Sequence, residues 1–416
     1  MSFQKYTKYK ESGVEWLGLV PAHWPVQPLK RHGRLLTEKT DRRGNPVALE
    51  NIESWTGRHL HTETEFEGDG VAFEAGDILF GKLRPYLAKA LVADAAGEAV
   101  GDFLVIRADE RVEPKFARYQ MLSREFISIV DGSTFGSKMP RASWDFVGSM
   151  PLPLAPMREQ EAIVRFLDRE TAKIDALIEE QRRLVQLLRE KRQAVILKAV
   201  TEGLDPGAPK RDSGVAWLGM VPAHWKVGAL RWRATCASGF GLSTELVESE
   251  SDELHLIPVI GGNGLMGFTH EASLTETVLS VGRVGALCGN VHVISPPSWI
   301  TDNALVLRPN LADLRVAYIA AVLRVRNLNE ISSKTAQPLI TGTQVLDQRV
   351  PIPTLHEQDA IVCFIESEAA KCDQLIAESQ AASSLLRERR AALISAAVTG
   401  KIDVRGLAPQ PEAVAA

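Results

Sequence analysis

The sequence predicts a mixed α/β (α+β) protein written twice: two diverged domains, each followed by a long helix, with the helices paired antiparallel as a coiled coil about a pseudo-twofold axis. Three observations lead there. Blocks of sequence recur at near-constant spacing. Two long runs lack Pro and Gly and carry apolar residues at heptad intervals. The stretches between them alternate short apolar runs with Gly and Pro turns.

The recurrence is direct. Ser12-Gly-Val-Glu-Trp-Leu-Gly-Leu-Val-Pro-Ala-His-Trp24 returns almost unchanged as Ser213-Gly-Val-Ala-Trp-Leu-Gly-Met-Val-Pro-Ala-His-Trp225. Pro151-Leu-Pro153 returns as Pro351-Ile-Pro353, and Glu159-Gln160-Glu-Ala-Ile-Val164 as Glu357-Gln358-Asp-Ala-Ile-Val362. Ala199-Val-Thr201 returns as Ala397-Val-Thr399. The chain therefore divides into a first variable domain (1–150), a first repeated region with a helix (151–206), a second variable domain (207–350), a second repeated region with a helix (351–403) and a tail (404–416). Two such units can pack as a homodimer would, presenting unlike surfaces on a symmetric frame.

Residues 157–200 and 356–398 are rich in Glu, Gln, Arg, Leu, Ala and Lys, all good helix formers. Prolines precede each run, and Gly203 and Gly400 follow. A 44-residue helix spans roughly 65 Å. In the first, the expected seam is Leu167, Ile174, Leu177, Gln181, Leu184, Leu188 and Val195. In the second it is Ile365, Cys372, Leu375, Ser379, Ala382, Leu386 and Leu393. Gln181 and Ser379 are the polar members, of the kind that fixes register.

The variable domains contain strands such as Asp77–Phe80, Phe103–Arg107, Val278–Val281 and Ala304–Arg308, and short helices near 115–123 and 314–323. After the first of these strands, Gly81-Lys82-Leu83-Arg84-Pro85-Tyr86 puts two cations and a phenol in one turn. Such groups meet phosphates, pair with guanine edges or stack. Its counterpart, Gly282-Arg283-Val-Gly285, keeps one cation. A second loop carries Ser133, Thr134, Lys138 and Arg141, with Lys334, Thr335 and Gln337 in the equivalent slot. The Trp-Leu-Gly…Pro-Ala-His-Trp motif reads as architecture, with His23 and His224 as packing or capping residues.

Composition narrows the class. The chain is 45% hydrophobic and 24% charged, ordinary for a globular protein. No apolar run approaches ~18 residues, and Met1–Lys10 is polar, so neither a membrane span nor a leader is expected and a cytoplasmic location is. Cys236, Cys288, Cys363 and Cys372 form no CxxC pair, which speaks against a zinc or redox site. The net charge is −4, with 20 Lys/Arg against 21 Asp/Glu in residues 1–150 and 12 against 12 in 210–350. Any DNA surface must be a local patch.

In these motifs, the chain resembles the specificity subunits of type I restriction–modification systems. The resemblance rests on SGVEWLGLVPAHW, GKLRPY, and PLP…EQEAIVRFLD leading into a helix that ends near AVTEG, and it covers nearly the whole chain. It implies target-recognition domains that each read half of a split double-stranded DNA site, and helices that set the gap and dock two methyltransferase subunits and restriction/translocase subunits. It also implies no catalytic residue, metal or cofactor here: S-adenosylmethionine, ATP and Mg belong to the partners. Two rivals remain. A stand-alone DNA methyltransferase would need more than Ser295-Pro-Pro-Ser-Trp299 and the Gly261-Gly-Asn-Gly264 run, which lacks a strand–loop–helix frame. A coiled-coil adapter without DNA contact suits the near-neutral charge but not the unlike ends.

Overall fold

The computed structural model describes residues 3–41, 44–60, 69–136, 138–333 and 337–407. They form two compact units, 1–182 with 381–416, and 183–380.

Each unit is centred on a four-stranded antiparallel sheet. In the first, β1 (Gly33–Leu36), β2 (Ile78–Gly81), β3 (Ala90–Val92) and β4 (Phe103–Ala108) lie in the order β1-β4-β2-β3. In the second, β5 (Ala234–Ser238), β6 (Val278–Gly282), β7 (Val291–Ile294) and β8 (Ala304–Pro309) lie in the order β5-β8-β6-β7. Both middle strands are apolar on both faces because both faces are covered. In the first unit Ile78, Phe80, Leu104 and Ile106 face helices Pro114–Met121 and Arg124–Gly132, packing against Met121, Phe126 and Val130. The alternate residues Leu79, Phe103 and Val105 face a smaller sheet through Val47, Phe73 and Ala99. The second unit repeats this: Leu279, Val281, Leu305 and Leu307 meet the helix Val316–Arg326, while Val278, Ala304 and Val306 meet Ile260 and Ile300. Gly261–Gly264 closes the hairpin between Ile257–Gly261 and Gly264–Thr269.

The two long helices run Met157–Glu202 and Leu355–Val398. Within the first unit the start of one lies against the end of the other. Asp175 pairs with Arg390 and Glu159 with Arg405, so sequence numbers rise on one side as they fall on the other. Ile163, Leu167, Ile174 and Ile178 pack there with Leu393, Ile394 and Ala397. In the second unit Arg192 pairs with Asp373, and Ile196, Ala199 and Val200 pack near Ile361 and Ile365. The helices are antiparallel within each unit.

The expected seam needs correction at three positions. Leu167, Ile174, Leu188, Leu393 and Ser379 are buried, and Gln181, Ile365 and Leu386 are half-buried. Leu177, Leu184 and Leu375 stand 45%, 43% and 48% exposed on the outer side. The seam instead takes Thr171, Ile178 and Val185, and Ile376 in the second helix. From Ile174 the buried repeat steps four residues and then three, where the sequence pattern predicts three and then four. Apolar side chains one residue apart, as at Leu177 and Ile178, make either phase plausible from sequence.

Gly203 and Gly400 end the helices in the left-handed conformation, at φ 75° and 72°. A Cβ at Gly400 would lie 2.4 Å from the Pro21 ring, and one at Gly203 3.0 Å from Trp225. In the first unit the end of the second helix is thereby seated on the first Pro-Ala-His-Trp motif. In the second unit the end of the first helix is seated on the second motif.

Candidate nucleic-acid interface

The two loops singled out in the first variable domain are brought together. The Arg84 N–H donates to the Pro140 carbonyl at 2.8 Å, the Ala142 N–H donates to the Lys82 carbonyl at 2.9 Å, and Leu83 bridges Arg141. Lys82, Arg84, Tyr86, Lys138 and Arg141 therefore belong to one surface. Asp102 sits beneath it. Arg141 grips this carboxylate with two arms, Nε to Oδ1 at 3.1 Å and Nη2 to Oδ2 at 2.9 Å, and Lys82 Nζ lies 3.7 Å from Oδ1. Donating to the Asp102 carboxylate raises the Arg141 pKa. One carboxylate faces two cations, and Arg84 and Lys138 add two exposed ones, so the patch is positive in a chain that is not. Tyr86 and Phe135 are exposed beside them and offer stacking faces. Ser133 and Thr134 differ in part from expectation: their hydroxyls donate to the Val130 and Asp131 carbonyls, finishing a helix, and keep only lone pairs for a ligand.

The second unit rebuilds the same backbone frame with other side chains. The Gly285 N–H donates to the Pro338 carbonyl and the Ile340 N–H to the Arg283 carbonyl, both at 3.0 Å, and Val284 bridges Leu339. Lys82 and Arg283 correspond, donating their N–H groups to the carbonyls of Asp102 and Asn303. Gly285 stands where Arg84 does, both at positive φ. Leu339 replaces Arg141. Arg283 Nη1 reaches Ser238 Oγ at 3.1 Å, two residues before the exposed Phe240, whose ring meets Trp299 edge-on. Gln337 is exposed on this rim; Lys334 and Thr335 lie outside the described residues.

The repeated motifs hold each head to its helix, a role that sequence reasoning missed. Glu159 accepts from Trp24 Nε1 at 3.0 Å and from the Tyr6 hydroxyl at 3.2 Å, and lies 2.8 Å from His23 Nε2. Glu357 accepts from Trp225 Nε1 at 3.1 Å and lies 2.7 Å from His224 Nε2. Burial pushes the Glu357 carboxyl upward, but His224, Trp225 and Thr354 outweigh it and hold it at about 2. The next residue, Gln160 or Gln358, is fully buried. Gln160 accepts from the Glu113 N–H and donates to the Arg111 and Ala155 carbonyls; Gln358 does the same with Arg315, Asp313 and Pro353. Each amide thus satisfies the loop that enters a domain helix. The signal was available: these residues are identical in both copies, within blocks that recur almost unchanged.

Among the described residues, no group of three or more His, Cys, Asp or Glu could hold a metal ion, and no helix is long and apolar enough to cross a membrane.

Residues 250–382 match the family model described as the type I restriction modification DNA specificity domain. That stretch is similar to a type I specificity domain. Over 150 residues it is 27% identical to the EcoprrI specificity subunit of Escherichia coli, and over 158 residues 27% identical to the EcoDI specificity subunit. These matches cover 36% and 37% of this chain, and span only 37% and 35% of those relatives' own length. Solved structures extend the likeness in fold to the rest of the chain. A chain from a study of complex assembly and conformational transition of the type I R-M system aligns with a TM-score of 0.67 at 19% identity, over 91% of this chain and 98% of its own. The HsdS subunit of Thermoanaerobacter tengcongensis aligns at 0.53, also 19% identical, over 92% and 98%. The specificity-domain match falls on the second head and the helix after it; the first head shares that architecture through the internal repeat.

Proposed function

We propose that this chain is the DNA-reading subunit of a type I restriction–modification complex and performs no chemistry itself. Each loop pair contacts one half of a split duplex site: Lys82, Arg84, Tyr86, Lys138 and Arg141 in one head, Arg283 and its neighbours in the other. The observation that carries this is the shared backbone frame with unlike side chains. A frame held constant while its exposed residues change is what two readers of different sequences need. Cations fix each head on phosphates, and a few side chains meet base edges. S-adenosylmethionine, ATP and Mg act on partner subunits in this scheme. The outward leucines, Leu177, Leu184 and Leu375, support helix-to-helix docking of the modification subunits, since exposed apolar rows mark interaction surfaces.

Long-read mapping of methylated adenines in host DNA, with and without this gene, tests the proposal. A split motif that disappears with the gene is expected. A neutral adapter, favoured by the net charge of −4, predicts an unchanged methylation map. It also predicts that filter binding fails to retain duplex DNA with or without the modification partner.

A further inference from the structure

Three residues of the first unit carry a left-handed backbone that is unusual for their side chains: Trp55 at φ 67°, Arg84 at 50° and Ala88 at 48°. They are joined in one line of hydrogen bonds. The Arg84 carbonyl accepts from the Leu87 N–H at 2.9 Å, and the Trp55 N–H donates to the Ala88 carbonyl at 2.9 Å. The Trp55 carbonyl accepts from Arg390 Nη1 at 3.0 Å, and Arg390 Nε donates to Asp175 Oδ1 at 2.9 Å. The line runs from the tip of the reading loop to the helix pair.

The loop that carries Trp55 has little freedom to relax. The Gly57 N–H donates to the Glu53 carbonyl at 3.1 Å, and a Cβ at Gly57 would lie 2.1 Å from the Ala90 carbonyl oxygen. Bulky residues keep such conformations only where the surroundings over-determine them. Arg390 supplies the far anchor. Its side chain is 9% exposed, and its planar fork reaches a carboxylate with one nitrogen and a carbonyl with another.

The repeat provides an internal comparison. Arg192 and Asp373 occupy the same two positions in the second unit, 198 residues away from Arg390 and Asp175 in each case. They pair at 3.5 Å with side chains 45% and 55% exposed, so no loop covers them. The ion pair belongs to the repeated frame, and the Trp55 cover belongs to the first head alone.

We infer that Arg390 and Trp55 are positioning residues that brace the Gly81–Tyr86 reading loop against the helix pair and sharpen discrimination at the first half-site only. The effect on discrimination rests on the DNA-reading function proposed above; the brace itself does not.

Amide exchange on the full chain tests the brace, and binding to duplexes with either half-site scrambled tests its consequence. Arg390→Lys keeps the charge on Asp175 but cannot hold both partners. It should raise exchange in residues 53–58 and 81–88 roughly tenfold. Discrimination against a scrambled first half should fall by about the same factor, with the second half unchanged. Arg192→Lys should move neither readout. Trp55→Pro, whose ring forbids the left-handed conformation, breaks the link from the loop side and should repeat the Arg390→Lys pattern if that variant folds poorly. Unchanged exchange at 81–88 in both variants, or equal loss at both half-sites, overturns the inference. If exchange rises while the unaltered chain prefers neither half-site, the brace stands and DNA reading does not.

Discussion

Arg84 holds a conformation that its counterpart Gly285 adopts freely, so side-chain chemistry has been placed where backbone comfort argues for glycine. Replacing Arg84 with Gly should stabilise the first unit by about 1 kcal/mol and weaken binding to the first half-site, so that thermal midpoint and affinity move in opposite directions. If both fall, the arginine is structural. Glu357 makes a second prediction. Its folded carboxyl titrates at about 2 instead of the ordinary 4.5. A depressed carboxyl contributes fully above pH 4.5 and loses its contribution as the pH falls towards 2. Glu357→Gln should flatten that acid limb in urea midpoints measured between those pH values, and an unaltered slope would contradict the assignment. These clamps were half visible in the sequence. Identity between copies marked Glu159, Gln160, Trp24 and His23, but nothing local revealed that residues 135 positions apart are bonded. The loop cations were legible by type; that Arg141 is shared with Asp102 depended on a contact across 39 residues.

At the level of helices, the heptad rhythm and its length could be read directly, because no Pro or Gly interrupts it. The phase could not, since Leu177 and Ile178 compete for one seam position and only packing decides between them. Ile178→Ala should destabilise the first unit by about 2–4 kcal/mol. Leu177→Gln should stay within ~0.5 kcal/mol yet weaken capture of a modification subunit in pull-down. Equal destabilisation by the two changes would restore Leu177 to the seam. Strands followed the same division. Continuous apolar runs announced β2, β4, β6 and β8, whereas the smaller second sheets, built of strands as short as two residues, left little pattern to read.

For the molecule entire, duplication is the most informative feature of the sequence, since the repeated blocks mark out two heads and two helices. Replacing residues 1–150 with another head should change one half of the methylated motif and leave the other intact; a change in both would refute modular reading. Seven residues added to each long helix lengthen them by about 10 Å, equivalent to about three base pairs at ~3.4 Å each, and should widen the unread gap alone. One last feature reaches further. The Asp403 N–H donates to the Gln4 carbonyl at 2.8 Å, so the segment after the second helix is stitched to the start of the first head. This contact sets the first and last described segments side by side within the first unit. Joining residue 407 to residue 3 and opening the chain between 203 and 210 should therefore yield a permuted protein with the same folded units, and the order of the heads along the gene becomes a matter of history instead of mechanics.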